Sequence, residues 1–298
     1  MKLQHGTFNS VNWPSHTIKF DDVLQSDEAL AKHLTELRAE MEQSYPTTVN
    51  AMAVAPEFKA RIAVDMGANF GLFAPCLGYE FQEVHAFEPS MVLSEIALML
   101  ARLEFSGAEY GKWLTMHRLA AADKTGEVMK LYGAANGCPG DNSIQPPKSE
   151  IEEPPSERCL TIALPDVFKL IGHDYIDYMK LDIEGAEYPF LMNHDLSQIG
   201  LIAMEKHECV WEQYSEKGLL DHVSQYMHLY KMPHDPVIWA FNREYRIARP
   251  PTWTTQFTEG NAKPVIIPME YYNAAGEWEI DPACEVGRHI VTNPDGTQ

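Results

Sequence analysis

Between residues 60 and 206 short apolar runs alternate with segments of helical periodicity, and most of those runs close on an acid. "RIAVDMGANFG" reads as a buried strand ending at Asp65, then a turn and a helix through about Leu77. "EVHAFEPS" is a second strand ending at Glu88, and Pro89-Ser90 opens the helix "MVLSEIALMLARLEF". "KWLTMHRLA", "ADKTGEVMKLYG" and "CLTIAL" add strands, "PDVFKLIG" a helix, "IDYMKLD" a strand, "GAEYPFLMN" a helix and "IGLIAME" a strand. Continuous apolar runs suit strands covered on both faces, and strands alternating with helices need crossover connections. The order therefore predicts an α/β chain built on a mainly parallel, doubly wound sheet. A helix over 213–228 and an antiparallel closing pair, "PVIWAFN" with "EYRIA", follow.

The flanks differ in character. Residues 27–43 place Leu30, His33, Leu34 and Leu37 on one helical stripe, so 1–50 reads as an N-terminal helical extension. The domain proper spans 51–248 and carries an insert at 134–158 rich in Pro, Gly and acid. A loop that long inside a compact domain is usually functional or disordered. After Ala248 the chain turns rich in Pro, Gly, Asn and Thr, and 249–298 is set apart as a C-terminal extension.

With 298 residues, 45% of them apolar, the chain has enough material for a full core. Its net charge of −20 repels a phosphate backbone, which argues against nucleic acid as a partner. Five cysteines with no C-x-x-C pair suit a reducing compartment rather than a disulfide framework or a zinc knuckle. No stretch approaches the ~18 apolar residues of a membrane span, and the first twenty residues hold no apolar signal core. The expectation is a cytoplasmic protein with no membrane span.

In doubly wound sheets a ligand lies beyond the carboxyl ends of the strands. Four such ends carry acids: Asp65, Glu88, Asp182 and Glu205. One alone would read as a helix cap or a solvated carboxylate; four along one edge point to a site. The turn "DMGANFG" offers Gly67 and Gly71 for close approach but has no G-x-G-x-x-G phosphate cradle, so Asp65 is expected beside a ligand's amino group. Glu88 stands about 20 residues beyond the turn, where a carboxylate accepts both hydroxyls of a ribose. That alone fits either NAD or S-adenosylmethionine.

"VDMGANFG", "HAFEPS", "AAADKTGE", "MKLDIEGAE" and "IAMEKH", in that order, resemble the FkbM family of S-adenosylmethionine-dependent O-methyltransferases over residues 60 to about 210. The resemblance implies a Rossmann-like class I methyltransferase fold and methylation of a hydroxyl, often on a sugar or a glycosylated natural product. It implies that Asp65, Gly67, Ala68, Asn69 and Gly71 line the methionine moiety, that Glu88, followed by Pro89, holds the ribose, and that Ala121 lies near the adenine.

An alcohol is a poor nucleophile, so its methylation calls for a base, an acidifying metal, or both. The pattern around "KLDIEGAEY" and "MEKHE" is also similar to macrocin-type sugar O-methyltransferases. By that similarity Asp182 and Glu205 are Mg²⁺ ligands, His207 a ligand or base, and Glu184 a candidate base. Asp182 and Glu205 end adjacent strands ~4.8 Å apart, close enough for their carboxylates to converge. Lys206 points away if the strand alternates.

Glu187 reads equally well as an acid opening a helix, and His173, His222, His228 and His234 as surface or packing residues. Trp113, Trp211, Trp239 and Trp253 are candidates for a sugar-stacking face, with core packing favoured for Trp113 and Trp239. Two other functions remain open: a nicotinamide-dependent dehydrogenase on the same sheet, and a cofactor-binding protein without catalysis.

Overall fold

A computed structural model describes residues 62–104 with short breaks (70, 72, 75–76, 78–80), then 114–133, 142–146, 156–231, 237–243 and 270–280. It also describes four short strands, β1 (Ser10–Asn12), β2 (Thr17–Lys19), β13 (Thr254–Thr255) and β14 (Val265–Ile266). The stripe at 27–43 and the segment "EYRIA" lie outside the described residues, as do Trp113, Trp253 and His234.

Nine strands form the central sheet. They are β3 (Ile62–Met66), β4 (Glu83–Phe87), β5 (Leu114–His117), β9 (Ile176–Leu181), β10 (Ile199–Glu205), β11 (Met227–Lys231), β12 (Val237–Asn242), β15 (Glu270–Tyr272) and β16 (Trp278–Ile280). Their order is β16-β15-β11-β12-β10-β9-β3-β4-β5. The five strands from β5 to β10 run parallel, while β12 is antiparallel to both β10 and β11. β12 is thus wedged antiparallel between β10 and β11 of a mainly parallel, doubly wound sheet.

Alternate side chains go to opposite faces, as strand geometry requires. Ile62, Val64, Met66, Met179, Leu181, Ile202 and Met204 pack on one face with residues of α2 (Leu164–Ile171), α3 (Glu187–Leu191) and α4 (Glu216–Ser224). Ala63, Tyr178, Leu201, Ala203 and Trp239 pack on the other with Ala74, Leu77 and Ala101, the last from α1 (Met91–Glu104). Trp239 is therefore a core residue, 1% exposed. No helix among the described residues is long and apolar enough to cross a membrane.

Three features depart from the sequence reading. First, "KWLTMHRLA" is not one strand: β5 ends at His117, and β6 (Leu119–Ala121) joins a separate sheet in the order β6-β8-β7 with β7 (Val128–Tyr132) and β8 (Ser156–Ile162). The backbone supplies the reason. Glu88 N donates to His117 O, and the next N–H on that side, that of Ser90, turns back to Glu88 Oε1 instead of continuing the ladder.

Second, the closing pair is β11 with β12. The expected helix over 213–228 stops at Ser224, and "MHLYK" takes the alternating burial of a strand. Third, β15 and β16, from within 249–298, extend the central sheet through β11.

Candidate active site

A cleft opens at the carboxyl ends of β3, β4 and β9, with the small sheet as its far wall. Its lining includes Gly67, Asn69, Glu88, Pro89, Ala121, Asp182 and Glu184 from the residues expected there, together with Leu119, Leu131, Asn142, Ile144 and Ile183. Asp65, Ala68, Gly71, Glu205 and His207 do not line it.

The turn after β3 explains part of this division. Gly67 and Ala68 both donate their N–H to Phe87 O, at 3.0 and 2.9 Å, which seats the turn against the end of β4. Gly67 has φ +80°, and a Cβ there would strike the backbone carbonyl of Asp182. Gly71 has φ +74°, and a Cβ there would strike Ala97 on α1. Both glycines thus permit backbone contacts within the protein, and only Gly67 also faces the cleft. Asn69, at φ +51°, occupies the left-handed region that asparagine tolerates. Its N–H donates to Glu88 Oε2 at 2.9 Å, while Ser90 N donates to Glu88 Oε1 at 2.8 Å. Glu88 is thereby fixed with a lone pair left on each oxygen. Burial raises its pKa to about 7.

Asp65, expected beside a ligand's amino group, is instead fully buried within the sheet. It is in register with Lys180 on β9, whose Nζ lies 3.4 Å from Asp65 Oδ1 and 3.3 Å from Asp182 Oδ2. Burial opposes the Lys180 charge, but Asp65 and Asp182 outweigh it and hold the ammonium above the usual lysine range. The ammonium also lies 4.8 Å from the centre of the Phe73 ring. Lys180 ties the end of β3 to Asp182 in the cleft, a role the sequence reading missed. A lysine inside the apolar run "IDYMKLD" was the available signal, since a buried charge requires a partner.

On the other side of Asp182 stands His207. Its Nε2 lies 3.4 Å from Glu184 Oε2, 3.8 Å from Glu205 Oε1 and 3.9 Å from Asp182 Oδ1. Its Nδ1 lies 3.1 Å from Oε1 of Glu187, which is completely buried and also accepts from Ile183 N. Glu187 does begin a helix, yet its carboxylate faces inward to His207. Burial works against the imidazolium, but the bond to Glu187 and the charges of Glu187, Glu184 and Asp182 raise its pKa to about 9. Burial and the Asp182 charge push Glu205 above the usual carboxylate range. Lys206 turns the other way and donates to Glu216 Oε2 at 2.8 Å.

The described part of the insert clamps this loop cluster. Gln145, 8% exposed, donates from Nε2 to Glu184 O at 2.6 Å and to Glu208 O at 3.2 Å, and its Oε1 accepts from Val210 N at 2.7 Å. Ser143 Oγ donates to the same Glu184 carbonyl. Gly185, at φ +93°, leaves the space that the Gln145 amide fills. Glu184 itself has φ +52°, an uncommon state for a glutamate and one that functional loops often hold.

The residues from Asp65 to Met232 match the model of the methyltransferase FkbM domain, which is more than half the chain. The protein belongs to this family. Its strand order, with one antiparallel strand between the last two parallel ones, is that of the class I methyltransferases.

Among solved structures it is similar to methyltransferase FkbM from Methylobacillus flagellatus KT, at 16% identity and TM-score 0.39, over 61% of this chain and 44% of that one. The chain thus spans less than half the length of that protein. It is similar to the O-methyltransferase from Bacillus cereus in complex with S-adenosyl-homocysteine, at 11% identity and TM-score 0.39, over 74% of this chain and 94% of that one. It is also similar to M. capricolum TrmK in complex with S-adenosyl-homocysteine, at 15% identity and TM-score 0.35, over 67% and 69% of the two chains. All three TM-scores are low, so the family match and the strand order carry the fold. No curated protein matches the chain significantly.

Proposed function

We propose that this protein is an S-adenosylmethionine-dependent O-methyltransferase acting on a hydroxyl of a sugar, a glycan or a glycosylated small molecule. The observation that carries this reading is one cleft holding Glu88 at one wall and Asp182 with Glu184 at another.

The residues fit the cofactor. Glu88 has an acceptor lone pair on each oxygen for the ribose diol, and Ala121, Leu119 and Leu131 give an apolar wall for adenine. The side-chain oxygens of Asn69 and Asn142, both from the lining, are buried without a protein hydrogen-bond partner. Acids without a phosphate cradle suit a ligand carrying an ammonium and a sulfonium better than a dinucleotide. When bound, S-adenosylmethionine supplies an electrophilic methyl group, and its sulfur keeps the bonding electrons as the methyl leaves.

The acceptor oxygen then forms the new C–O bond and must lose its proton. Glu184 is the base in this account. His207, with its pKa near 9, is a cation at neutral pH and is suited to holding Glu184 ionised rather than to taking a proton. Asp182, fixed by Lys180, can accept from the acceptor hydroxyl or a neighbouring one.

The donor atoms of Asp182, Glu205 and His207 lie within 4.8 Å of one another and fit a divalent cation such as Mg²⁺, which on binding would displace the proton from His207 Nε2, with Glu187 behind His207 as its supporting carboxylate. Such an ion would acidify an acceptor hydroxyl bound to it. Trp211, which packs on the cluster that contains Ala186 and Ile144, is the candidate in this account for a sugar-stacking face.

Methyl transfer from labelled S-adenosylmethionine onto a panel of free and conjugated sugars tests this reading, with and without EDTA. Labelled sugar that disappears on chelation and returns with Mg²⁺ or Mn²⁺ supports both parts. Full turnover in EDTA removes the metal and leaves Glu184 as the base. No transfer to any hydroxyl, with transfer to an amine acceptor, would overturn O-methylation.

A further inference from the structure

A second cluster of ligand-type side chains lies at the other end of the sheet. Glu83 opens β4, His85 follows two residues later on the same face, and His173 comes just after α2. His85 Nε2 is 2.9 Å from Glu83 Oε1, and His173 Nε2 is 3.1 Å from Glu83 Oε2. The donor atoms of the three residues all lie within 4.8 Å of one another. Glu83 is five residues before Glu88 along an extended strand, so the cluster sits ~16 Å from the cleft and belongs to a different site.

We propose that Glu83, His85 and His173 form a binding site for a divalent transition metal, with Zn²⁺ as the best match. Two imidazoles and a carboxylate are typical zinc donors, and tetrahedral coordination at ~2.0–2.1 Å places neighbouring ligand atoms ~3.3 Å apart. The two separations, one to each carboxylate oxygen of Glu83, are close to that spacing before any ion draws the groups together.

The support behind the ligands has the form such sites use. His85 Nδ1 lies 3.1 Å from Nε2 of His117, so a hydrogen bond there fixes the ring and directs Nε2 towards Glu83. His117 is in turn stacked on Phe87, with ring centres 4.5 Å apart. The backbone of His173 is held as well: its N–H and that of Gly172 both donate to Phe168 O, with Gly172 in the left-handed conformation that ends the helix. His85 is 6% exposed while the side chains of Glu83 and His173 are 38% and 33% exposed, so an ion can reach the site from solvent. Three protein ligands leave a position for water. The ion would join the start of β4 to the connection leading into β9, and its effect is on stability rather than on methyl transfer.

Zn²⁺ binding by the full-length chain, stripped first with a chelator, tests the proposal. It is measured by equilibrium dialysis with metal analysis and by the shift in melting temperature. His173→Ala is the key variant because its side chain is partly exposed, and unchanged affinity for S-adenosylhomocysteine checks that it is folded. The expected result is one zinc equivalent fewer in His173→Ala than in the wild type, with loss of the zinc-dependent rise in Tm. His207→Ala keeps that equivalent, which separates this site from the acids around the cleft. His117→Phe, which keeps the stacking but removes the support for His85, weakens zinc binding ten- to a hundredfold. A His173→Ala chain that binds zinc with wild-type stoichiometry and affinity overturns the proposal, as does a His207→Ala chain that binds none.

Discussion

The Nδ1 of His207 lies 3.1 Å from a carboxylate oxygen of Glu187, a residue with no exposed surface. That contact and three further acids around the other ring nitrogen make His207 a cation at neutral pH. A histidine whose folded pKa is raised contributes stability that is complete below its unfolded value of about 6.5 and is lost as pH climbs through the folded one. Here the window of loss runs from about 6.5 to about 9.

Denaturant unfolding of the metal-free chain across that window should show stability falling by on the order of 2–3 kcal/mol beyond any general trend. In Glu187→Gln the fall should shrink and move to lower pH, because the amide keeps an acceptor but not the charge. A pH profile identical to that of the wild type would mean that Glu187 does not set the charge on His207.

Asp65 and Lys180 are a buried pair in register on adjacent strands. Removing one partner strands the other charge in the sheet. Lys180→Met is expected to cost ~3–5 kcal/mol, and the double variant Asp65→Asn/Lys180→Met to recover most of it, since no lone buried charge then remains. Thermal or denaturant melts of the three proteins check this; a double variant as unstable as Lys180→Met would contradict the pairing.

Gln145 spans the two loops that follow β9 and β10 and fills the space beside Gly185. Gln145→Ala should lower stability by ~1–3 kcal/mol through the backbone groups it leaves unpaired. Turnover should fall more than cofactor affinity does, because the clamped loop carries Glu184. Gly185→Ala should be severe in the wild type and milder in Gln145→Ala, where only the strained φ remains; strictly additive effects would show that the two residues do not meet.

Glu88 titrates near pH 7 because it is buried. Its ionised form is the better acceptor for a diol, so cofactor affinity should fall as pH drops through about 7 and level off above about 8. Glu88→Ala should lose about ten- to a hundredfold in affinity, ~1.5–3 kcal/mol, and show a flat pH profile. Titration calorimetry from pH 6 to 9 measures both.

The strands that hold the site were legible because they are buried on both faces. "RIAVD", "IDYMKLD" and "IGLIAME" are continuous apolar runs, and their terminal acids marked the edge where the cleft opens. The direction of a side chain within that edge was not legible. Asp65 and Asp182 both end apolar runs, yet strand register turns one towards Lys180 inside the sheet and leaves the other in the cleft. Glu187 gave a true helix start and concealed a buried carboxylate, because helix propensity says nothing about what a first-turn acid faces. Gln145 lay in an insert without periodicity, where only tertiary contacts assign a role. The break at Arg118 followed from Ser90 on the neighbouring strand, whose N–H turns to Glu88 Oε1, a pairing that local pattern cannot supply.

The most direct test of the central claim is titration calorimetry of the full chain with S-adenosylhomocysteine and, separately, with NAD. S-adenosylhomocysteine should bind at one site with micromolar or tighter affinity, weakened in Glu88→Ala, while NAD should give no measurable heat. Micromolar NAD binding without S-adenosylhomocysteine binding would contradict the methyltransferase account and favour a nicotinamide-dependent dehydrogenase.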